Sequence, residues 1–159
     1  MTTTKATTKK FNPYARDCAA FSKCLENFRP PEDLTVNEWA DKYRILPETS
    51  AEAGPWRTSR TPYLREPMRA FTDPNVNRIV MVASSQVGKS ELELNIIGYI
   101  IAQDPGSILY IQPAEADGKK FSRQRIAPMI KACPTLRGKV ADVKSRDGGN
   151  TILQKMFPN

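Results

Sequence analysis

The spacing of hydrophobic residues in the second half of the chain predicts a strand, a helix and a second strand. Residues 78–83 and residues 107–112 are short apolar runs rich in β-branched side chains, and each ends at polar or turn-forming residues. Such runs are typical of buried strands in a parallel sheet. Between them, residues 89–103 carry apolar side chains at helical spacing, namely Leu92, Ile96, Tyr99 and Ile100. This order predicts a βαβ unit with a right-handed crossover.

Further helices are predicted on both sides of this unit. Residues 13–28 follow Asn12 as a helix cap and end before a Pro-Pro pair. Thr35 and Glu38 have the spacing of a capping box, which predicts a short helix that ends at Tyr43. A second short helix begins at Pro67 and ends near residue 71.

The C-terminal third is predicted to be a helix followed by a strand. The helix covers residues 114–133 and is kinked or broken near Pro128, because proline lacks the N–H that a helix interior requires. Residues 151–157 are apolar enough for a further strand. The fold class is therefore α/β: an incomplete nucleotide-binding P-loop domain with a parallel sheet, preceded by short N-terminal helices.

Composition shifts divide the chain into three regions. Residues 1–10 are rich in Thr and Lys and predict a disordered tail. Residues 11–60 contain the N-terminal helices and an irregular lead-in over residues 44–61, where periodicity is lost and Pro and Gly gather. Residues 61–159 are the N-terminal part of the P-loop domain.

The residues that carry chemistry lie between the first predicted strand and its helix. They match G-x-x-x-x-G-K-[ST] at every defining position except the first, where Ala replaces Gly. Backbone N–H groups of such a turn surround a β-phosphate, a lysine reaches the β- and γ-phosphates, and a serine hydroxyl binds Mg²⁺. A coincidental loop is the alternative, but a strand before and a helix after favour ATP and Mg²⁺ binding. The nucleotide-binding candidates are Ala83, Ser84, Ser85, Gln86, Val87, Gly88, Lys89 and Ser90, with Lys89 also the catalytic candidate and Ser90 the Mg²⁺ ligand.

Hydrolysis also needs an acidic residue at the end of a neighbouring strand, and no apolar run of this sequence ends in Asp or Glu. Two readings stay open. Either the acid lies beyond residue 159 in a longer natural chain, or the protein binds nucleotide without efficient turnover. The apolar run that ends the sequence indicates an interrupted domain.

Two aromatic residues and a basic segment are further candidates. Trp56 and Tyr63 precede the P-loop strand and could stack on the adenine base, with core packing as the equal alternative. Residues 119–146 hold nine basic residues and one acid, Asp142, within a chain of net charge +7. This segment is either a solvated face or a contact for phosphate groups.

Composition excludes several classes of function. The 159 residues contain no histidine, which removes Ser-His-Asp triads and imidazole bases. The three cysteines lack metal-ligand spacing, and no apolar stretch approaches the roughly 18 residues of a membrane span. With no signal peptide pattern either, the sequence predicts a soluble intracellular protein that does not contact a membrane.

The order of these features resembles the large terminase subunit of lambda-like tailed phages. The resemblance covers about residues 30–159 and is most specific in the string Ser85-Gln-Val-Gly-Lys-Ser-Glu91 followed by Tyr110-Ile-Gln-Pro113. It implies the ATPase part of a motor that moves double-stranded DNA into procapsids, with a RecA-like fold. It also implies a small terminase subunit, a portal protein and further copies of the chain as partners, and a nuclease domain that this chain lacks.

The resemblance makes Arg123 and Arg125 candidates for contact with phosphate or DNA. Another P-loop DNA translocase or helicase would use the same residues. A non-catalytic nucleic-acid-binding remnant is the alternative from a different class. Downstream nuclease or helicase motifs would separate the first two, and DNA affinity that ignores ATP would favour the third.

Overall fold

The computed structural model describes residue 21, residues 32–140 and residues 151–157. The chain divides into two units, Met1–Glu32 and Asp33–Asn159, and the elements described below belong to the second unit. The tail predicted over residues 1–10 lies outside the described residues, as does the helix predicted over residues 13–28 apart from Phe21. The predicted division at residues 60 and 61 stays a prediction.

The helix with the predicted capping box is present. Helix α1 covers Val36–Tyr43, and the Glu38 carboxylate accepts hydrogen bonds from the Thr35 amide at 2.9 Å and the Thr35 hydroxyl at 2.6 Å. These hydrogen bonds hold the pKa of the Glu38 carboxyl below its ordinary value. One face of α1 is buried.

The irregular lead-in folds against this helix. Strand β1, Ile45–Leu46, pairs antiparallel with strand β2, Gly54–Pro55, so that Ile45 lies opposite Pro55. Two single turns of 3-10 helix follow at Thr58–Arg60 and Pro62–Leu64. They lead directly into helix α2, Arg65–Phe71, which begins two residues before the predicted Pro67.

The longest helix among the described residues is α3, Lys89–Ala102, as predicted from its apolar spacing. Its buried residues lie on several sides of the helix. This distribution is typical of a helix that other parts of the chain surround. Gly98 allows α1 to approach closely: a Cβ there would lie 2.5 Å from Cη2 of Trp39. Trp39 also meets Tyr99 edge to face, with ring centroids 6.5 Å apart.

The predicted strands on either side of α3 are not strands in the described residues. Residues 78–83 and residues 107–112 have no ladder hydrogen bonds, and β1 with β2 is the sheet of the described region. The strand prediction is not confirmed here because a strand exists only when a second strand pairs with it, whereas an apolar run depends on sequence alone. The described residues therefore show helices and a small antiparallel sheet, and no parallel sheet.

The C-terminal helix is broken as predicted. Helix α4 covers Glu115–Phe121, a π-helical turn covers Ser122–Ile126, and helix α5 covers Ala127–Ala132. Pro128 has no N–H for the carbonyl four residues earlier, which favours a wider turn at that point. Residues 151–157 contain a bend at residues 152–153 and a single bridge residue at position 155 instead of the predicted strand, and the Ser122 hydroxyl donates to the carbonyl of Ile152.

No helix in the described part of the chain is long and apolar enough to cross a membrane.

Candidate nucleotide-binding site

The loop before α3 has the backbone shape that its sequence requires. Gly88 caps the helix with φ at +82°, a conformation that glycine adopts without steric cost. Gln86 has φ at +60°, which is uncommon for a residue with a Cβ. A side chain at Gly88 would also come within 3.4 Å of the Leu64 Cδ1 atom. The loop therefore turns sharply into the helix, with Leu64 packed behind the turn.

The Lys89 side chain folds back over this loop. Its ammonium group donates to the carbonyl oxygens of Ala83, at 3.1 Å, and Ser84, at 2.6 Å. Lys89 is only partly buried, and residues 83–86 are exposed. A positive charge thus lies over an accessible turn at the start of a helix.

The first turn of α3 adds donors to this charge. Lys89 and Ser90 are the first two helical residues, so their N–H groups have no acceptor within the helix, and the helix dipole is positive at this end. The Ser90 hydroxyl is exposed beside them. Anionic oxygen atoms are the ligands that such an arrangement favours.

The two aromatic candidates have different environments. Trp56 is only 6% exposed, and its indole N–H donates to the Thr58 hydroxyl at 3.1 Å. This burial favours the core-packing interpretation of Trp56. Tyr63 is 54% exposed and directly precedes Leu64, whose side chain contacts the P-loop glycine. Of the two rings, Tyr63 is the exposed one, and it therefore stays the candidate for stacking on a base.

The two arginine candidates lie in the π-helical turn. Arg125 Nη1 is 3.5 Å from Glu91 Oε1, and Glu91 lies in the first turn of α3. Arg123 is exposed and has no ion pair with the described residues. The structure therefore brings Arg125 to the helix that carries Lys89 and leaves Arg123 free for solvent or a ligand.

Part of the basic segment is occupied by contacts within the chain. Lys119 pairs with Glu115 at 2.6 Å, and the Lys139 ammonium donates to the Ala102 carbonyl at 2.7 Å. Two of the nine basic residues, Lys144 and Arg146, fall in residues 141–150, which lie outside the described residues. Both earlier interpretations of this segment, a solvated face and a phosphate contact, stay open.

No sequence pattern singles out Arg44, yet it is a central residue of the site. Its side chain is 1% exposed and its Nη2 lies 3.1 Å from the Glu91 carboxylate, which is 47 residues away in the chain. Arg44 Nε also donates to Asn95 Oδ1 at 3.2 Å. A single arginine after a helix gives no periodic pattern that would mark it as functional. Its partner Glu91, in contrast, is the last residue of the string from Ser85 to Glu91 that carries the family resemblance. Only the folded chain reveals the pair.

The described residues contain no cluster of three or more Cys, Asp or Glu side chains that could bind a metal ion. Glu91, the acid nearest to Ser90 in sequence, is bound by Arg44 and Arg125. Whether an acid outside these residues supports hydrolysis therefore stays a prediction.

Comparison with known proteins decides the family. The profile described as "Phage terminase large subunit gpA, ATPase domain" matches residues 50–159, which is more than half of the chain. The chain belongs to this terminase family. It is 30% identical over 136 residues to the terminase large subunit of Escherichia phage lambda, and 25% identical over 128 residues to that of Enterobacteria phage P21. These matches cover 85% and 80% of this terminase chain.

The same matches cover only 21% and 20% of the two relatives, so the chain spans about a fifth of their length. The family match contains the whole loop from Ala83 to Ser90 and begins before Trp56. No solved structure matches this chain.

Proposed function

We propose that this chain is the ATP-binding part of a phage DNA-packaging motor. In a complete motor it would help to drive the translocation of double-stranded DNA into procapsids in the host cytoplasm. The observation that carries the proposal is the Lys89 ammonium, held over an exposed turn at the positive end of α3, in a chain that belongs to the terminase ATPase family.

The residues present fit ATP and Mg²⁺. Lys89 would neutralise the β- and γ-phosphates after it releases the two loop carbonyls, and the N–H groups of the first turn would bind the same oxygens. Ser90, with its exposed hydroxyl, would hold Mg²⁺. The ion, when bound, would offset the phosphate charge. Tyr63 is the residue we assign to the base, and Arg123 is the exposed candidate for DNA.

We also propose that residues 78–83 and residues 107–112 are strands of a parallel, RecA-like sheet in a complete terminase large subunit. Burial alternates along residues 107–112, as it does along a strand, and in residues 78–83 the partly buried Met81 lies between the exposed Val80 and Val82. Ile108 and Tyr110 pack against the core, while the intervening Leu109 and Ile111 are 85% and 78% exposed. An apolar face this exposed is expected where further chain packs.

The partners follow from the family and belong to the whole motor. They are double-stranded DNA, a small terminase subunit, a portal protein and further copies of the chain. Arg123 and the other exposed basic residues would contact DNA phosphates, which predicts an affinity that falls as salt rises.

ATP binding by the chain, compared with Lys89→Ala, tests the nucleotide site. Loss of a hydrogen bond to a charged group costs about 1.5 to 3 kcal/mol, which predicts affinity weakened about 10- to 100-fold. Lys42→Ala is the matched control, since Lys42 lies at the end of α1 over the Tyr43 ring. Equal ATP affinity in all three proteins would contradict the proposal.

DNA binding with and without ATP separates the second candidate function, a non-catalytic nucleic-acid-binding remnant. The observation that favours it is the exposed Arg123 within the basic segment. DNA affinity that is steeply salt-dependent but unchanged by ATP, together with absent ATP binding, would favour the remnant. ATP binding that depends on Lys89 would exclude it.

A further inference from the structure

Arg44 is a buried cation tied to the P-loop helix from a distant part of the chain. Its Nη2 contacts Glu91 Oε2 at 3.1 Å, its Nε contacts Asn95 Oδ1 at 3.2 Å, and its Nη1 donates to the carbonyl of Ile45 at 2.8 Å. Glu91 and Asn95 lie one turn apart on α3. Arg44 therefore fixes both the rotation and the position of the first two turns of this helix.

Burial makes this contact hard to break. A charge removed from water must keep its partners, because loss of one partner leaves the other unpaired in a region of low dielectric constant. With 1% of its side chain exposed, Arg44 has no access to water as a substitute. The planar guanidinium also holds several acceptors in fixed directions, which a lysine ammonium does not do.

The carboxylate that Arg44 holds lies next to the phosphate-binding residues. Glu91 directly follows Ser90, and a negative charge there would repel a polyphosphate unless it were neutralised. Arg44 neutralises it from the buried side. Arg125 approaches the other carboxylate oxygen at 3.5 Å from a half-exposed position, where ion pairs contribute little.

We propose that Arg44 is a positioning residue of the nucleotide site, which acts through Glu91 and Asn95 to set the first turn of α3. It does not touch the nucleotide. It keeps Lys89 and Ser90 in the orientation that phosphate binding requires. This inference rests on the proposed ATP binding.

The test separates positioning from stability. Arg44→Met and Glu91→Gln each break the buried pair, so both should lower the unfolding midpoint and weaken MgATP binding about tenfold, measured at a temperature where each variant is fully folded. Glu115→Gln removes the same charge from α4, where Glu115 pairs only with Lys119 in the described structure, and should leave MgATP affinity within about twofold.

The double variant Arg44→Met, Glu91→Met gives the deciding readout. Replacing a buried ion pair with apolar side chains of similar size often restores stability, so this variant should melt close to the unmodified chain. Its MgATP affinity should stay about tenfold weaker, since an apolar contact does not fix the rotation of the helix. Restored stability with restored affinity would overturn the positioning role.

Two other outcomes are also decisive. If Glu91→Gln folds and binds MgATP as tightly as the unmodified chain, Arg44 is a purely structural residue and the inference is wrong. If the unmodified chain shows no Lys89-dependent MgATP binding, the proposed function itself fails. The Lys89→Ala comparison therefore tells the two failures apart.

Discussion

The close approach of α1 to α3 at Gly98 leads to the sharpest stability prediction. A Cβ at this position would lie 2.5 Å from Cη2 and 2.9 Å from Cζ3 of Trp39, well inside contact distance. The indole cannot move away, because Trp39 is fully buried and meets the Tyr99 ring on its edge. Gly98→Ala must therefore displace one helix from the other.

The expected magnitude is the difference between two terms. Alanine gains about 1 kcal/mol over glycine in a helix interior. Overpacking of a core costs about 1 to 3 kcal/mol, and contact with a rigid ring favours the upper half of that range. The net loss of unfolding free energy is therefore about 1 to 2 kcal/mol, or roughly 2 to 8 °C in the melting temperature for a chain of this size.

Gly118 in α4 provides a matched control of opposite sign. A Cβ there would meet only the Leu153 Cδ2 atom, at an ordinary 3.8 Å. Gly118→Ala should therefore keep the helix gain and stabilise the chain by about 0.5 to 1 kcal/mol.

Urea unfolding followed by tryptophan fluorescence suits both variants, since the two tryptophans, Trp39 and Trp56, are buried. A Gly98→Ala chain as stable as the unmodified protein, or more stable, would refute the packing argument.

Three further changes test other parts of the structure. Thr35→Ala removes the hydroxyl hydrogen bond, the largest cause of the lowered Glu38 pKa, keeps the backbone amide bond, and should cost about 1 kcal/mol at pH 7. The lowered pKa of Glu38 stabilises the folded chain at pH values above the ordinary carboxyl pKa of 4.5. The difference in unfolding free energy between Thr35→Ala and the unmodified chain, measured in urea titrations, should therefore shrink as the pH falls below 4.5. Burial, followed by the 2.7 Å hydrogen bond to Glu93, raises the pKa of Tyr110 above 10.0, so its phenolate absorbance should appear only well above pH 10. At neutral pH, Tyr110→Phe should lower the unfolding free energy by about 1 kcal/mol in urea titrations, because it removes the hydrogen bond to Glu93. A variant as stable as the unmodified chain would contradict this hydrogen bond. Val82 is 96% exposed, so Val82→Lys should change the unfolding free energy of this chain by less than about 0.5 kcal/mol, whereas Met81→Lys should destabilise it. In a full-length relative, equal tolerance of lysine at the position of Val82 would contradict the proposed sheet.

The sequence alone determined the features that depend on neighbours along the chain. The capping box at Thr35, the helix that begins at Lys89 and the break near Pro128 each follow from spacing or from the chemistry of one residue. The P-loop also belongs to this group, because a lysine at the start of a helix is held next to its own loop. The family resemblance rested on the same local strings and was confirmed.

Only the tertiary structure decided which distant residues meet. Trp56 and Tyr63 are indistinguishable as candidates in sequence, but in the structure Trp56 is buried and Tyr63 is exposed. Residues 78–83 read as a strand, yet pairing needs a second strand that the described chain does not provide. Arg44 has no pattern to reveal it, because its partners lie 47 and 51 residues away. Burial and pairing are properties of the packed chain, so local spacing cannot determine them.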